Sequence, residues 1–351
     1  MKSASEAAPE KGGLKMGLVN HKFTLAARPM GLPKRTDWSY TEESVRELAE
    51  GELLIKVLLI SLDPAMRGWM NESRSYVPPV GIGEVMRALA IGQVVASRNP
   101  RFEVNKYVSG TLGVQEYFIT DGKALMEVDP RIAPLPVFLS TLGMTGMTAY
   151  FGLLDTGRPE PGDTVVVSAA AGAVGAVVGQ IAKIKGCRVV GIAGGASKCH
   201  YLLADLGFDT AIDYKSEDVT AALRKSCPTG INIYFDNVGG DILEAGLANL
   251  ARGARIVICG AISQYNNTGP VQGPRNYLSL LVNRATMKGM LVFDYMDRYK
   301  DAIREMAGWM AAGKLKSRED IVEGLSSFPD ALLKLFKGEN FGKLILKVAE
   351  Y

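Results

Sequence analysis

Histidine is almost missing from this chain, with His21 and His200 the only two in 351 residues. Cysteine is scarce as well: Cys187, Cys199, Cys227 and Cys259 stand apart with no paired spacing. A catalytic zinc site needs Cys and His ligands, and a structural zinc lobe needs four closely spaced Cys. Neither set can be assembled, and a His-centred triad or general base is excluded with them. Scattered cysteines fit free thiols in a reducing compartment, which points to the cytoplasm. No apolar run approaches the length of a membrane span, and residues 1–15 are polar and small, without the apolar core of a secretory signal. Residues 1–18 are predicted to be a flexible extension. The formal charge is only +3 and no dense Lys/Arg run occurs, which argues against nucleic acid or an anionic membrane as a partner.

What is present has the composition of a soluble globular protein, 47% hydrophobic and 22% charged, and its length exceeds what one hydrophobic core usually organises. Two domains are predicted. The chain is organised around Thr164-Val165-Val166-Val167-Ser168-Ala169-Ala170-Ala171-Gly172-Ala173-Val174-Gly175. Four β-favouring residues pass through small ones into a glycine turn, and 176–185 has helical character. The unpaired N–H groups of such a helix start, with the macrodipole behind them, make a pyrophosphate the natural occupant. Ala170 stands where the Gly-x-Gly-x-x-Gly fingerprint has its first Gly. The motif therefore rests on its context, a second hydrophobic strand at 188–193 that completes a βαβ unit.

Ahead of this unit, short strands are predicted at 21–27, 53–60, 91–97, 106–109, 114–119 and 124–128, with Gly and Pro between them, as in a β-rich domain. A helical segment is predicted at 138–154. Beyond the unit, strands 210–213, 231–235, 255–259 and 287–293 alternate with helices 197–206, 216–225 and 241–250. Such alternation means a parallel sheet with crossover helices. The fold class is therefore α/β, a Rossmann-type doubly wound parallel sheet beside a β-rich domain. Helices at 300–312 and 329–337 precede a last strand, 343–348, which exceeds the six strands that the sheet needs and is expected to return to the first domain.

An NAD-specific site carries an acid after the second strand to bind the ribose 2′-hydroxyl. Here that strand ends in Ala193-Gly194-Gly195-Ala196-Ser197-Lys198. With no carboxylate to repel a 2′-phosphate, NADP(H) is favoured. Lys198 also reads as a solvated surface lysine, although a cation in a helix's first turn is mildly unfavourable without an anion. Position alone leaves Tyr214 open between an adenosine contact and a half-buried loop aromatic. It likewise leaves Asn237, and the loop after the next strand, open between ligand contact and turn chemistry.

Five stretches, in this order, resemble one family: Leu142-Gly143-Met144-Thr145-Gly146-Met147-Thr148-Ala149-Tyr150, the Ala169–Gly175 turn, Phe235 to Gly240, Cys259-Gly260-Ala261-Ile262-Ser263-Gln264-Tyr265-Asn266, and Lys337-Gly338-Glu339-Asn340-Phe341-Gly342-Lys343. They are similar to the zinc-independent medium-chain dehydrogenase/reductases of the prostaglandin reductase, leukotriene 12-hydroxydehydrogenase, plant double-bond reductase and curcumin reductase type. The resemblance implies a GroES-like β-rich domain at 19–137, an NADP-binding Rossmann domain at 138–312, a segment 313–351 returning to the first domain, and a cleft between the two. It implies NADP(H) contacts from Gly172, Ala173, Val174 and Gly175 at the pyrophosphate, from Lys198 at the 2′-phosphate, and from Tyr214 and Asn237. Near the nicotinamide half it implies contacts from Cys259, Gly260, Ala261, Ile262, Ser263 and Tyr265, from Met290, Leu291 and Val292, and from Asn340.

The activity implied is reduction of the C=C bond of α,β-unsaturated aldehydes and ketones, with hydride passing to the β-carbon. Tyr265 is the expected donor to the developing enolate, shared with the cofactor ribose, and Tyr76 the expected substrate-pocket residue from the other domain. Arg67, in Asp63-Pro64-Ala65-Met66-Arg67, is expected to form a structural ion pair. Met70, Met144, Met290 and Met296 are candidates for an adaptable apolar lining. A small-molecule enal or enone is the expected partner, and a homodimer is expected by analogy. The alternatives are an NADPH quinone oxidoreductase of the same superfamily and a non-catalytic NADPH-binding protein.

Overall fold

The computed structural model describes residues 17–271 and 273–351, so the predicted extension lies, up to residue 16, outside the described residues. The first elements are an antiparallel hairpin, β1 (Val19–Leu25) with β2 (Trp38–Ser44). The sequence pattern misses β2 because Trp38 alone of its residues is buried; the ladder to β1 holds it rather than an apolar face. Then follow β3 (Leu53–Ser61), the short helix α1 (Ala65–Trp69), β4 (Leu89–Ser97), β5 (Tyr107–Thr111), β6 (Tyr117–Thr120) and β7 (Met126–Val128).

The helix predicted at 138–154 is broken. A 3-10 turn, Leu135–Leu139, comes first, and α2 (Met144–Phe151) runs into a π-helical turn, Gly152–Gly157. Between them the Ser140 carbonyl accepts both the Gly146 N–H and the Thr145 hydroxyl. Side-chain and turn bonds of this kind compete with continuous helix.

The alternating part comprises β8 (Thr164–Val167), α3 (Ala173–Ile184), β9 (Arg188–Ala193), α4 (Ala196–Ala204), β10 (Thr210–Asp213), α5 (Val219–Ser226), β11 (Ile231–Asp236), α6 (Gly240–Leu247), β12 (Leu250–Ile258), α7 (Leu278–Asn283) and β13 (Thr286–Gly289). Its six strands pair in parallel in the order β10-β9-β8-β11-β12-β13. This is a doubly wound order whose reversal falls between β8 and β11, so the crevice outside their carboxyl ends is where a ligand is expected. Two boundary differences bear on the site. The β12 strand starts at Leu250, inside the helix predicted at 241–250, and β13 stops at Gly289, which frees 290–293 to turn away from the sheet.

The chain ends with α8 (Tyr299–Ala311), β14 (Glu319–Glu323), α9 (Phe328–Lys337) and β15 (Lys343–Lys347). The β15 strand lies antiparallel on β3 and completes a sheet of order β14-β15-β3-β4-β5-β7, with β6 also pairing β3. Apolar burial explains the return. Phe328, Leu332, Leu335, Leu344 and Leu346 are buried in the same core as Phe23, Trp38, Leu53 and Ile60, and the Phe328 ring sits 5.3 Å from Trp38 and 5.2 Å from Phe23. A buried ion pair locks the junction: Lys343 Nζ is 2.6 Å from Asp63 Oδ1 and donates to the Leu62 carbonyl at 2.8 Å.

Candidate active site

A cleft of about 1380 Å³ runs along the carboxyl ends of the parallel strands and is walled on its other side by the β-rich part. At its centre the turn after β8 delivers Gly172 as the residue that precedes α3. The first-turn N–H groups of α3, on Ala173, Val174 and Gly175, have no intrahelical acceptor. Gly175 is required sterically, since a Cβ there would come 2.5 Å from the Ala169 carbonyl oxygen. The turn is braced from outside as the Ala171 carbonyl accepts the Gly342 N–H at 2.9 Å. Gly172, Ala173, Val174 and Gly175 all line the cleft.

At one end lies the loop after β9. Asp213 is the nearby acid, yet it faces the backbone: its carboxylate accepts the Gly195 N–H at 2.7 Å and the Lys215 N–H at 3.0 Å. These bonds hold its pKa below the usual carboxylate value. Lys198 reaches into the cleft and donates to the Gly338 carbonyl at 2.7 Å, with Phe341 beneath its ammonium at 5.4 Å. Burial, and then the neighbouring Lys215 charge, lower the Lys198 pKa. Tyr214 packs against Gly194 so closely that a Cβ at 194 would come 2.8 Å from the ring. This end therefore offers small residues, an aromatic wall and a cation whose hydrogen bond goes to a backbone carbonyl rather than to a carboxylate, which fits a dinucleotide bearing a 2′-phosphate.

The other end is built from the loops after β11 and β12. Asp236, buried at the end of β11, accepts from the Ser168 hydroxyl at 2.9 Å and from the Gly239 N–H at 3.0 Å. Burial pushes its carboxyl above the usual value, and these bonds oppose the shift. The Ser168 hydroxyl in turn accepts the Asn237 N–H, and the Asn237 carboxamide donates to the Ser168 carbonyl at 2.7 Å. Ser168 and Asp236 thus fix Asn237 at the topological switch point. The sequence holds a signal for this pair, an acid closing a hydrophobic parallel strand, but not for its partner 68 residues away.

Cys259, Gly260, Ile262, Ser263 and Tyr265 line the cleft. Burial pushes the Cys259 thiol up to about 12. Ala261 is not among the lining residues; its N–H is donated to the Tyr265 hydroxyl at 3.2 Å. Burial, the largest influence, raises the Tyr265 pKa against that bond, so the phenol keeps its proton at neutral pH. Met290, Leu291 and Val292 enter the cleft as the segment that leaves β13, and Asn340 from the loop before β15, its carboxamide donating to the Gly342 carbonyl at 3.0 Å.

Tyr76 faces this end from the β-rich side, its ring 6.1 Å from that of Phe293. Phe293, Trp69 and Thr145 also line it and were not expected as site residues, although Thr145 lies within the 142–150 stretch and Phe293 directly follows Val292. Met144 and Met290 line the cleft, whereas Met70 is buried in the β-rich core and Met296 is exposed. The ion pair expected for Arg67 does not form. Its guanidinium is bonded to carbonyl and carboxamide oxygens, because the buried pocket it enters presents backbone and Asn acceptors. Among the described residues, no three His, Cys, Asp or Glu side chains gather as a metal-ligand set.

Comparison with known proteins places this arrangement. A family described as "N-terminal domain of oxidoreductase" matches residues 21–128, and one described as "Zinc-binding dehydrogenase" matches residues 173–308. The NADPH-dependent curcumin reductase of Escherichia coli is 42% identical over 335 residues, 94% of this chain and 97% of the relative. The NADP(+)-dependent 2-alkenal reductase of Nicotiana tabacum is 40% identical over 336 residues, 94% and 98% of the two chains. Among solved structures, CurA of Vibrio vulnificus in complex with NADPH superimposes with a TM-score of 0.90 at 44% identity, covering 94% of this chain and 100% of that one.

Proposed function

The chain belongs to the medium-chain dehydrogenase/reductase family, in the group of the prostaglandin, 2-alkenal and curcumin reductases, and is an NADP-dependent oxidoreductase; from this premise we propose that it reduces the C=C bond of α,β-unsaturated aldehydes and ketones. The observation that carries the reading is the Tyr265 hydroxyl, which accepts the Ala261 N–H at 3.2 Å and lines the cleft. With its oxygen occupied as an acceptor, the phenol has its own proton left to donate into the cleft. When bound, NADPH would supply a hydride to the β-carbon of the enone, and a proton from water at the α-carbon would complete the reduction. As hydride arrives, negative charge develops on the substrate carbonyl oxygen, and a preoriented donor there stabilises the transition state more than the ground state.

Gly172, Ala173, Val174 and Gly175 would hold the pyrophosphate, and Lys198 the 2′-phosphate. Tyr214 would flank the adenosine, while Asn237, the 259–265 loop, residues 290–292 and Asn340 would position the nicotinamide half. Tyr76 and Phe293 close the apolar side where the enone sits. The free thiols fit a cytoplasmic enzyme. The exposed sheet edge at β13, beside the apolar Leu281 of α7, 75% exposed, fits a homodimer, which light scattering tests directly.

The test follows NADPH absorbance with a panel of enals, enones and quinones and identifies products by mass. The expected result is a gain of two hydrogens across the C=C bond, with NADH a poorer donor. Tyr265→Phe is expected to lower kcat by about 10²–10³-fold, as for loss of one oxyanion donor, with NADPH affinity retained. Turnover of quinones with none of the enones would overturn the reading in favour of a quinone oxidoreductase. NADPH binding without any turnover would favour a non-catalytic protein.

A further inference from the structure

Arg67 carries a full charge into the interior, 3% exposed, yet every group it touches is neutral. Its Nε donates to the carbonyl of Gly31 and to Asn266 Oδ1, both at 3.1 Å; Nη1 donates to Asn71 Oδ1 at 2.6 Å; Nη2 donates to the carbonyls of Pro29 and Gly31, both at 3.0 Å. Burial without a contacting carboxylate lowers the guanidinium pKa. The charge that opposes this shift, that of Asp37, is not in contact with it; a buried cation without a contacting counter-charge is costly and is tolerated here because the planar fork finds acceptors on each nitrogen.

The acceptors come from three places. Residues 29–31 and α1 belong to the β-rich side. Asn71 opens the 71–79 loop that carries Tyr76 into the cleft. Asn266 follows Tyr265 directly and belongs to the other side, 199 residues away in the chain. The segments lie against one another: Gly31 has a left-handed backbone (φ +73°), and a Cβ there would sit 3.6 Å from Thr268 and 3.7 Å from the Asn266 carbonyl oxygen. One guanidinium therefore joins the loop of Tyr265 to the loop of Tyr76 across the cleft.

We infer that Arg67 is a positioning residue that acts through Asn266, holding Tyr265 at the distance from the enone that the β-rich wall defines. The inference rests on the role of Tyr265 proposed above. Tyr265 is held at one end by the Ala261 N–H within its own loop, and the Arg67–Asn266 bond relates that loop to the opposite wall. A donor must lie within hydrogen-bond reach of the developing oxyanion, and a misplacement of about 1 Å costs up to about 10²-fold in rate.

The experiment is a double-mutant cycle on the intact NADPH-dependent enzyme, using the enone that it turns over and reading kcat, KM and NADPH affinity separately. Asn266→Ala removes one of the five Arg67 bonds and leaves the rest of its pocket in place. It is expected to lower kcat by about 10- to 100-fold with NADPH affinity unchanged, and Asn266→Asp, which keeps the acceptor, to restore most of the rate. Combined with Tyr265→Phe, Asn266→Ala is expected to cost nothing further, because the group that it positions is gone. Losses that multiply in the double variant would overturn the inference, as would an Asn266→Ala enzyme at full rate or an Asn266→Asp enzyme as slow as Asn266→Ala. Tyr265→Phe at full rate on its own would instead remove the role of Tyr265, and the inference would fall with its premise.

Discussion

Replacing Lys198 by Ala tests how the cleft tells NADPH from NADH. In the folded chain the ammonium is committed to the Gly338 carbonyl at 2.7 Å, and Phe341 lies beneath it. Its burial and the nearby Lys215 charge disfavour the protonated form, so a phosphate dianion arriving there relieves both penalties. A hydrogen bond to a charged group contributes about 1.5–3 kcal/mol, which at 1.4 kcal/mol per decade corresponds to roughly 10- to 100-fold in NADPH affinity. The Gly338 carbonyl left behind borders the cleft and regains water, so folding stability should change little. Lys215 retains part of the attraction, and the loss is expected to stay partial until both lysines are removed. The assay is a fluorescence titration of NADPH and NADH against both proteins, repeated at two salt concentrations. NADPH should weaken by the predicted factor with NADH nearly unaffected, and the salt dependence of NADPH binding should shrink in the variant. Equal losses for both cofactors would refute the phosphate assignment and return Lys198 to a structural role on Gly338.

Gly175→Ala introduces a Cβ 2.5 Å from the Ala169 carbonyl oxygen and 2.8 Å from the Ala170 Cα, so the turn must shift; NADPH affinity measured by the same titration should fall sharply, and unchanged affinity would show that the turn does not bind the cofactor. Lys343→Met or Asp63→Asn alone strands a buried charge and should cost about 3–5 kcal/mol in chemical denaturation, whereas the double replacement should recover much of the loss; equal, additive losses would contradict a coupled pair. Burial pushes the Cys259 thiol pKa up to about 12, above the ordinary thiol value of 9.0. Its protonated form is therefore favoured in the fold, the associated stability is complete below pH about 9 and is lost as pH rises toward 12. Native protein at pH 8 should accordingly be alkylated at Cys259, which is half-buried on the cleft, more slowly than an ordinary thiol, as peptide mass mapping would reveal, and labelling as fast as that of a free thiol would contradict the raised pKa.

The fold was legible wherever local pattern and global topology agreed. The strands at β8, β9 and β11 follow from hydrophobic runs that are buried on both faces, as a parallel sheet demands, and the turn after β8 from the spacing of its small residues. The β2 strand was not legible because a strand exposed along most of its length carries no hydrophobic period. The helix expected over 138–154 failed for another reason: Ser140 and Thr145 supply side-chain and turn bonds that interrupt it, and apolar periodicity does not register such competition. The early end of β13 mattered more, since it is what turns Met290, Leu291 and Val292 into the cleft.

The site divides along the same line. That Gly172 to Gly175, Lys198 and Asn237 line the cleft was legible because each sits at a strand end or helix start whose geometry the sequence specifies within a few residues; position alone left the roles of Lys198 and Asn237 open. Arg67 was misread because its residue type is informative and its surroundings are not. A buried arginine suggests a carboxylate, whereas its partners are three carbonyl bonds and two carboxamides brought together from 29–31, 71 and 266. No local spacing encodes that meeting, which brings Asn266 to Arg67 across 199 residues of chain. The residues a motif reveals are those placed by local backbone geometry, and a contact between the two walls becomes visible only in the folded chain. On the proposed reading, cofactor binding falls chiefly to the loops that follow the parallel strands, and the alignment of Tyr265 with its substrate to the contact between the two halves.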